Sequence, residues 1–209
     1  YVSARNVHND IFRKPSDGTG SEEPLVVSPV NKLLGDWSRD GKYIVYLQTG
    51  EKGGSDFWVM PLLGERKPFP VLQTTFNNGS PAFSPDGRWL LYSSDESGQN
   101  EIYVMPFQGA AGKWQISTKG GVVAAWRGDG KEVFYLANDN RVMAVPVSAQ
   151  GSQFQVGEAK PLFRLIGSAQ FSGFFLVSGD GQRFLAPAPT EEKAIPMTLV
   201  FNWTAAVKK

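Results

Sequence analysis

His8 is the only histidine in the chain, so any relay of the Ser-His-Asp kind would have to pass through it. It stands in the polar stretch Asn6-Val7-His8-Asn9, between two strand-like runs, where a solvated turn residue is the plainer reading. Ser38 and Ser84 each precede an aspartate by two residues, yet that spacing also serves local turn hydrogen bonds. No Gly-x-Ser-x-Gly elbow is present. Cysteine is absent, which removes disulfides, thiolate metal sites and a cysteine nucleophile. Zinc needs Cys/His clusters, which the chain lacks. Calcium needs several close oxygens, and Asp95, Glu96, Asn100 and Glu101 form the best candidate set, within one hairpin. Their spacing fits no EF-hand, and a solvated hairpin is the plainer reading. Gly18-Thr19-Gly20 and Gly120-Gly121 resemble phosphate loops only in composition, because no helix follows either to present its N-terminus. Asn78-Gly79-Ser80 and Asn202-Trp203-Thr204 match the glycosylation pattern, a match read as chance. No residue is therefore assigned a catalytic, cofactor-binding or metal-ligating role, and no cofactor is implied.

Composition narrows the partners. Of 209 residues, 41% are hydrophobic and 20% charged, as in ordinary globular domains, and the formal net charge is +1. So small a net charge argues against a broad electrostatic grip on nucleic acid or an anionic membrane. No apolar run approaches the roughly 20 residues that span a bilayer. The chain opens on Tyr1 within a strand-like pattern, as expected of a piece of a longer or processed protein.

What positions these residues is a repeat. Ser38-Arg39-Asp40-Gly41, Ser84-Pro85-Asp86-Gly87, Arg127-Gly128-Asp129-Gly130 and Ser178-Gly179-Asp180-Gly181 are versions of one turn, at intervals of 46, 43 and 51 residues. Three residues before each aspartate stands Trp37, Phe83, Trp126 or Val177. Five after each glycine stands Tyr46, Tyr92, Tyr135 or, breaking the pattern, Ala186. A third landmark stays in step: Asp56-Phe57-Trp58-Val59-Met60-Pro61 aligns with Glu101-Ile102-Tyr103-Val104-Met105-Pro106. Asp10 to Pro15 and Arg141 to Pro146 are looser copies.

Each unit reads as four strands. Asp-Gly suits a tight turn, because glycine takes positive φ freely and aspartate bonds the local backbone. The proline closing the third strand cannot donate to a ladder and is expected to mark a strand end. Fourth strands are expected near Val71–Thr75 and Lys113–Ser117. Such a sheet has two apolar faces, and stacking sheets about an axis covers both. The recurring aromatics, Trp37, Phe83 and Trp126 among them, are accordingly expected to fill the gaps between sheets. The expected fold class is all-β, a β-propeller of four-stranded antiparallel blades. About four to five blades are expected here, as part of a larger propeller. The chain reads as one segment, with units near 1–32 (partial), 33–78, 79–121, 122–170 and 171–209 (partial).

Residues 80–106, with Phe83-Ser84-Pro85-Asp86-Gly87 and Ile102-Tyr103-Val104, closely resemble the WD-repeat-like units of TolB-type propellers. The units at 33–61 and 122–146 depart from that pattern with Arg39 for Pro and Arg127-Gly128 for Ser-Pro. A narrower resemblance, carried by Pro196 to Trp203 and the Lys-containing tail, is to the C-terminal propellers of bacterial membrane-anchored serine/threonine kinases. It implies a sensor or interaction region outside the cytoplasm, periplasmic or at the cell surface. The chain itself carries no kinase motif.

Two functional readings follow. One is a non-catalytic binding or scaffold module for a protein or peptide partner, with Asp36, Ser80 and Arg127 near the channel end and rim as places to look. The alternative is an accessory propeller of a peptidase or a carbohydrate-active propeller, and fold by itself does not choose between them.

Overall fold

The computed structural model describes residues 1–4, 7–51, 53–109, 111–165 and 175–187, and the backbone of 197–200. Among these residues every regular element is a strand. No helix there is long and apolar enough to cross a membrane.

Five antiparallel sheets succeed one another along the chain. The first holds β1 (Val2–Ser3), β2 (Asp10–Arg13) and β3 (Glu23–Val26). The second runs β4 (Lys32–Trp37), β5 (Tyr43–Thr49), β6 (Ser55–Pro61) and β7 (Phe69–Leu72). The third runs β8 (Asn78–Phe83), β9 (Trp89–Ser94), β10 (Glu101–Pro106) and β11 (Trp114–Gln115). The fourth contains β12 (Val123–Trp126), β13 (Glu132–Leu136), β14 (Arg141–Gln150), β15 (Gln153–Val156) and β16 (Lys160–Arg164). The last contains β17 (Leu176–Val177), β18 (Phe184–Pro187) and β19 (Met197–Val200). These are propeller blades, pairing neighbours in sequence order except that β16 of the fourth pairs with β14, and β4, β8, β12 and β17 are innermost.

Alternation along single strands explains the stacking. In β9, Leu90 and Tyr92 point into the cluster shared with the second blade, while Trp89 and Leu91 point into the cluster shared with the fourth. All six β9 residues are buried, because both sides of a pleated strand are covered. In β13, Val133 and Tyr135 face the third blade, and Phe134 and Leu136 face the fifth.

Two fourth strands, β7 and β11, are shorter than expected and begin or end within a few residues of the expected spans. The fourth blade departs more. Pro146 does not end its strand: β14 runs on to Gln150 and turns back as β15. Pro146 pairs opposite Glu132 within the ladder. The excursion has a packing purpose, since β15 delivers Phe154 to within 5.0 Å of the Trp89 ring and 5.8 Å of Trp114, between blades three and four.

The Asp-Gly turns are locked the same way each time. Gly41, Gly87, Gly130 and Gly181 all have φ between 71° and 75°, and each donates its N–H to the carbonyl three residues back. Ser38 Oγ donates to Asp40 Oδ1 at 2.8 Å and accepts from Tyr43 N at 2.9 Å. Ser84 repeats this with Asp86 and Trp89, and Ser178 with Asp180 and Arg183. Where serine is replaced, Arg127 instead grips both oxygens of Asp129 at 2.8 Å.

At the opposite end, linkers between blades are held by a polar residue opening the next inner strand. Lys32 spends all three ammonium donors on Asp10 Oδ1 (2.8 Å), Ser28 O (3.0 Å) and Val30 O (2.6 Å). Its side chain is 0% exposed and that of Asp10 3%. Asn78 holds the next linker through Ser55 O, Thr74 Oγ1 and Phe76 O.

Lys32→Met strands the buried Asp10 carboxylate and is expected to lower stability by about 3–5 kcal/mol in urea melts; pairing it with Asp10→Leu restores most of the loss. The turn aspartates give a second measurement. Hydrogen bonds from the Ser38 hydroxyl and Lys42 hold the Asp40 carboxyl down at about 2. The Arg127 guanidinium does the same for Asp129, also at about 2. Their folded acidity lies below the ordinary value, so the turn bonds are complete above pH 4 and fail only as pH falls through about 2. Carbon NMR titration of the two carboxyls should therefore show midpoints near 2 for Asp40 and Asp129.

Candidate functional site

The four inner strands surround a cavity of about 1270 Å³, the central channel. Of the nine large hydrophobic side chains exposed among the described residues, four line it: Leu33, Leu34, Trp37 and Leu176. Small residues, Ala82, Ala124 and Ala125, complete much of the wall. Among the described residues its only charged lining residues are Asp36 and Arg39.

The wall is irregular by construction. In β4 the pairing slips between Leu34 and Asp36, and in β8 between Gly79 and Ala82, so Gly35 and Ser80-Pro81 bulge from their ladders. Ser80 adopts φ of +49°, a region disfavoured for a residue with a side chain. Pro81 rests on Gly35, where an added Cβ would stand 2.6 Å from Pro81 Cγ and 3.0 Å from Val45 O.

Asp36 and Ser80, named from sequence as places to look, both line the channel. Asp36 ties two blades together, accepting from Trp37 N at 2.8 Å and from Phe83 N of the next inner strand at 2.9 Å. Burial pushes its carboxyl above the usual carboxylate range, against the pull of those two N–H groups. Arg127 is different: its guanidinium is committed to Asp129 and Glu132 within its own turn.

The residues screened for chemistry are dispersed. His8 lies in the bend between β1 and β2. Ser38 and Ser84 are buried turn locks. The acids proposed for calcium serve separate partners. Asp95 accepts from Asn77 N and Nδ2, Glu96 pairs with Lys113, and Glu101 holds Ser117, Gly120 N and Gln99. Among the described residues no group of three or more His, Cys, Asp or Glu is placed to hold a metal ion. Thr19 of the first Gly-rich loop bonds Asp17. Asn78, first residue of one glycosylation pattern, is buried, and residues 202–204 of the other lie outside the described residues.

One expectation is corrected. Phe83 packs on Tyr43, Val45 and Phe107, and Trp126 reaches Ala82 O of the preceding inner strand at 3.4 Å. Trp37, at the same repeat position, is 60% exposed. The sheet before it is β1–β2–β3, which among the described residues has no strand inside β1 to cover the indole. Trp37 therefore lines both the channel and a neighbouring cavity of about 470 Å³ with Tyr1, Phe12 and Leu34.

Blades in this order, each with an Asp-Gly turn between its first two strands and set around an open channel, define a propeller of the TolB class. The profile of the TolB beta propeller domain family matches residues 1–157, and the chain belongs to that family. A 68-residue stretch is 34% identical to the Tol-Pal system protein TolB of Hydrogenovibrio crunogenus, covering 32% of this chain and 15% of that protein. The fold is similar to TolB from Acinetobacter baumannii, with TM-score 0.70 and 19% identity over 97% of this chain and 48% of that one. It is also similar to an oligogalacturonate lyase in complex with manganese, with TM-score 0.62 and 12% identity over 88% and 55% of the two chains. The chain thus spans about half the length of these solved relatives.

Gly35→Ala drives a methyl group into the Pro81 ring. It should cost about 1–3 kcal/mol of stability in urea denaturation, as overpacking does.

Proposed function

We propose that this chain is a non-catalytic binding module that takes a protein or peptide partner in its central channel. The observation carrying this reading is the concentration of exposed Leu33, Leu34, Trp37 and Leu176 around one concave cavity. Exposed apolar side chains scattered singly need no explanation, whereas a concave cluster marks a surface that is covered in use. The two charged groups nearby are spaced among these apolar contacts, as specificity requires. Membership of the TolB propeller family, and likeness to a protein named for the Tol-Pal system, support a protein partner.

The finer setting is a sensor or interaction region of a larger bacterial protein, such as a membrane-anchored serine/threonine kinase. The resemblance of Pro196 to Trp203 to the closing strand of such propellers supports it. In that setting the module works outside the cytoplasm.

A photo-crosslinking residue at Leu33 should capture a defined partner from the source bacterium's envelope fraction, and one at exposed Val27 should not. Leu34→Asp should reduce that capture at least tenfold with the far-ultraviolet circular dichroism unchanged. Equal capture from Leu33 and Val27 would remove the channel as the binding surface.

A further inference from the structure

The four x-x-Asp-Gly turns, three opening on Ser and one on Arg127, converge at one end of the channel through their variable second residue. Arg39, Pro85, Gly128 and Gly179 occupy that position, and all four line the cavity. Arg39 NH1 crosses to the turn two blades away and donates to Gly128 O at 2.8 Å. Gly128 N in turn donates to Gly179 O at 3.0 Å. Only glycine permits this approach, because a Cβ on Gly128 would stand 2.5 Å from Gly179 O. Both partners of the cross-channel bond, Arg39 and Gly128, replace the proline of the 84–87 turn. The departures from the repeat thus meet each other.

We propose that Arg39 is the anchor for a free carboxylate at the tip of an extended apolar peptide segment, which takes the place of the Gly128 carbonyl. This rests on the channel being the partner site, and it names the chemistry that site selects. A guanidinium has five donors in a planar fork suited to a carboxylate, and among the described residues Arg39 bonds only one neutral carbonyl. It forms no ion pair there, unlike Arg127 or Arg88 of neighbouring turns. Both oxygens of Asp36, the channel's other charge, are already held by backbone N–H groups. The spare charge and hydrogen-bonding capacity of the channel are therefore cationic. A carboxylate offers the guanidinium a second charge and two parallel N–H···O bonds, where Gly128 O accepts one, so a carboxylate displaces the carbonyl.

The walls choose the rest of the ligand. Leu33 and Leu34 stand along β4 between the linker end and Arg39, and Leu176 faces the same space. From Leu33 to Arg39 is six residues, at most about 20 Å at about 3.3 Å each, since β4 ends at Trp37 and Arg39 lies in the turn beyond it. A segment of roughly six residues with apolar side chains spans that length, entering at the linker end and terminating at Arg39. Leucine-lined walls favour such a peptide over a uronate sugar, which would need polar partners along its length.

The test titrates the whole 209-residue chain, by calorimetry and Trp37 fluorescence, with acetyl-Gly-Ser-Leu-Ala-Leu-Leu bearing a free C-terminal carboxylate, with its C-terminal amide, and with digalacturonate. The acid should bind at least tenfold more tightly than the amide. Arg39→Met should bring both to the amide's affinity with an unchanged circular dichroism spectrum, since sister turns carry Pro85 or Gly179 at this position. Arg39→Lys should keep only part of the preference, having charge without the fork. Equal binding of acid and amide, no binding of either, tighter binding of digalacturonate, or a preference that survives Arg39→Met would each overturn the proposal. If acid and amide bind equally and Leu34→Asp abolishes both, the channel stands as the partner site and only the carboxylate anchor falls.

Discussion

A sheet that is apolar on both faces cannot stand alone in water, and the rest of this structure follows from covering it. Strand β5 shows the demand within three residues. Ile44 and Tyr46 enter the cluster with Ile11, Leu25 and Val26 of the first blade, while Val45 enters the cluster with Phe83, Leu90 and Tyr92 of the third. Alternation along a strand serves two interfaces at once. Aromatic side chains supply most of the filling, with edge-to-face contacts such as Phe57 on Tyr92 at 5.6 Å and Trp89 on Trp114 at 5.5 Å.

Stacking about an axis turns the middle strands inward to each other and the innermost strands toward a space. Those innermost strands have a neighbour on one edge only, so their side chains meet the channel. Where adjacent inner strands come closest, glycine and proline interlock, as Gly35 and Pro81 do, and the ladder bulges to permit it. Beside that contact, Leu33 and Leu34 remain exposed to the channel. The channel's apolar wall is thus a geometric product of the same stacking that buries the core. Its two charged residues are handled in opposite ways. Asp36 is absorbed into an interblade bond, while Arg39 is left with most of its donors available.

The two ends of the blades are built from different chemistry. At the turn end, four aspartates are held ionised by serine hydroxyls or, once, by an arginine fork. The turn's frame is therefore constant while its second residue is free to vary, which is how Arg39 and Gly128 can meet without disturbing either hairpin. At the linker end, Lys32 and Asn78 gather backbone carbonyl groups as the chain passes between blades.

The sequence by itself determined the strand character, the turns and the phase of the aromatics, because these are short-range properties. Asp-Gly at fixed spacing dictates a positive-φ turn, and alternating β-formers around it dictate a strand with two buried faces. It also exposed Arg39 and Gly128 as departures from the repeat, and Asp36 and Ser80 as residues to watch. Only the tertiary structure decided that Arg39 and Gly128 touch, 89 residues apart, and that Arg127 is spent within its own turn. It alone placed Trp37 in the open while Phe83 is buried and Trp126 half-buried, and carried β14 past Pro146 to deliver Phe154. The reason is physical: a side chain's type and period say that it seeks cover. Whether it finds cover depends on which strand of the neighbouring blade stands opposite, and no local pattern encodes that.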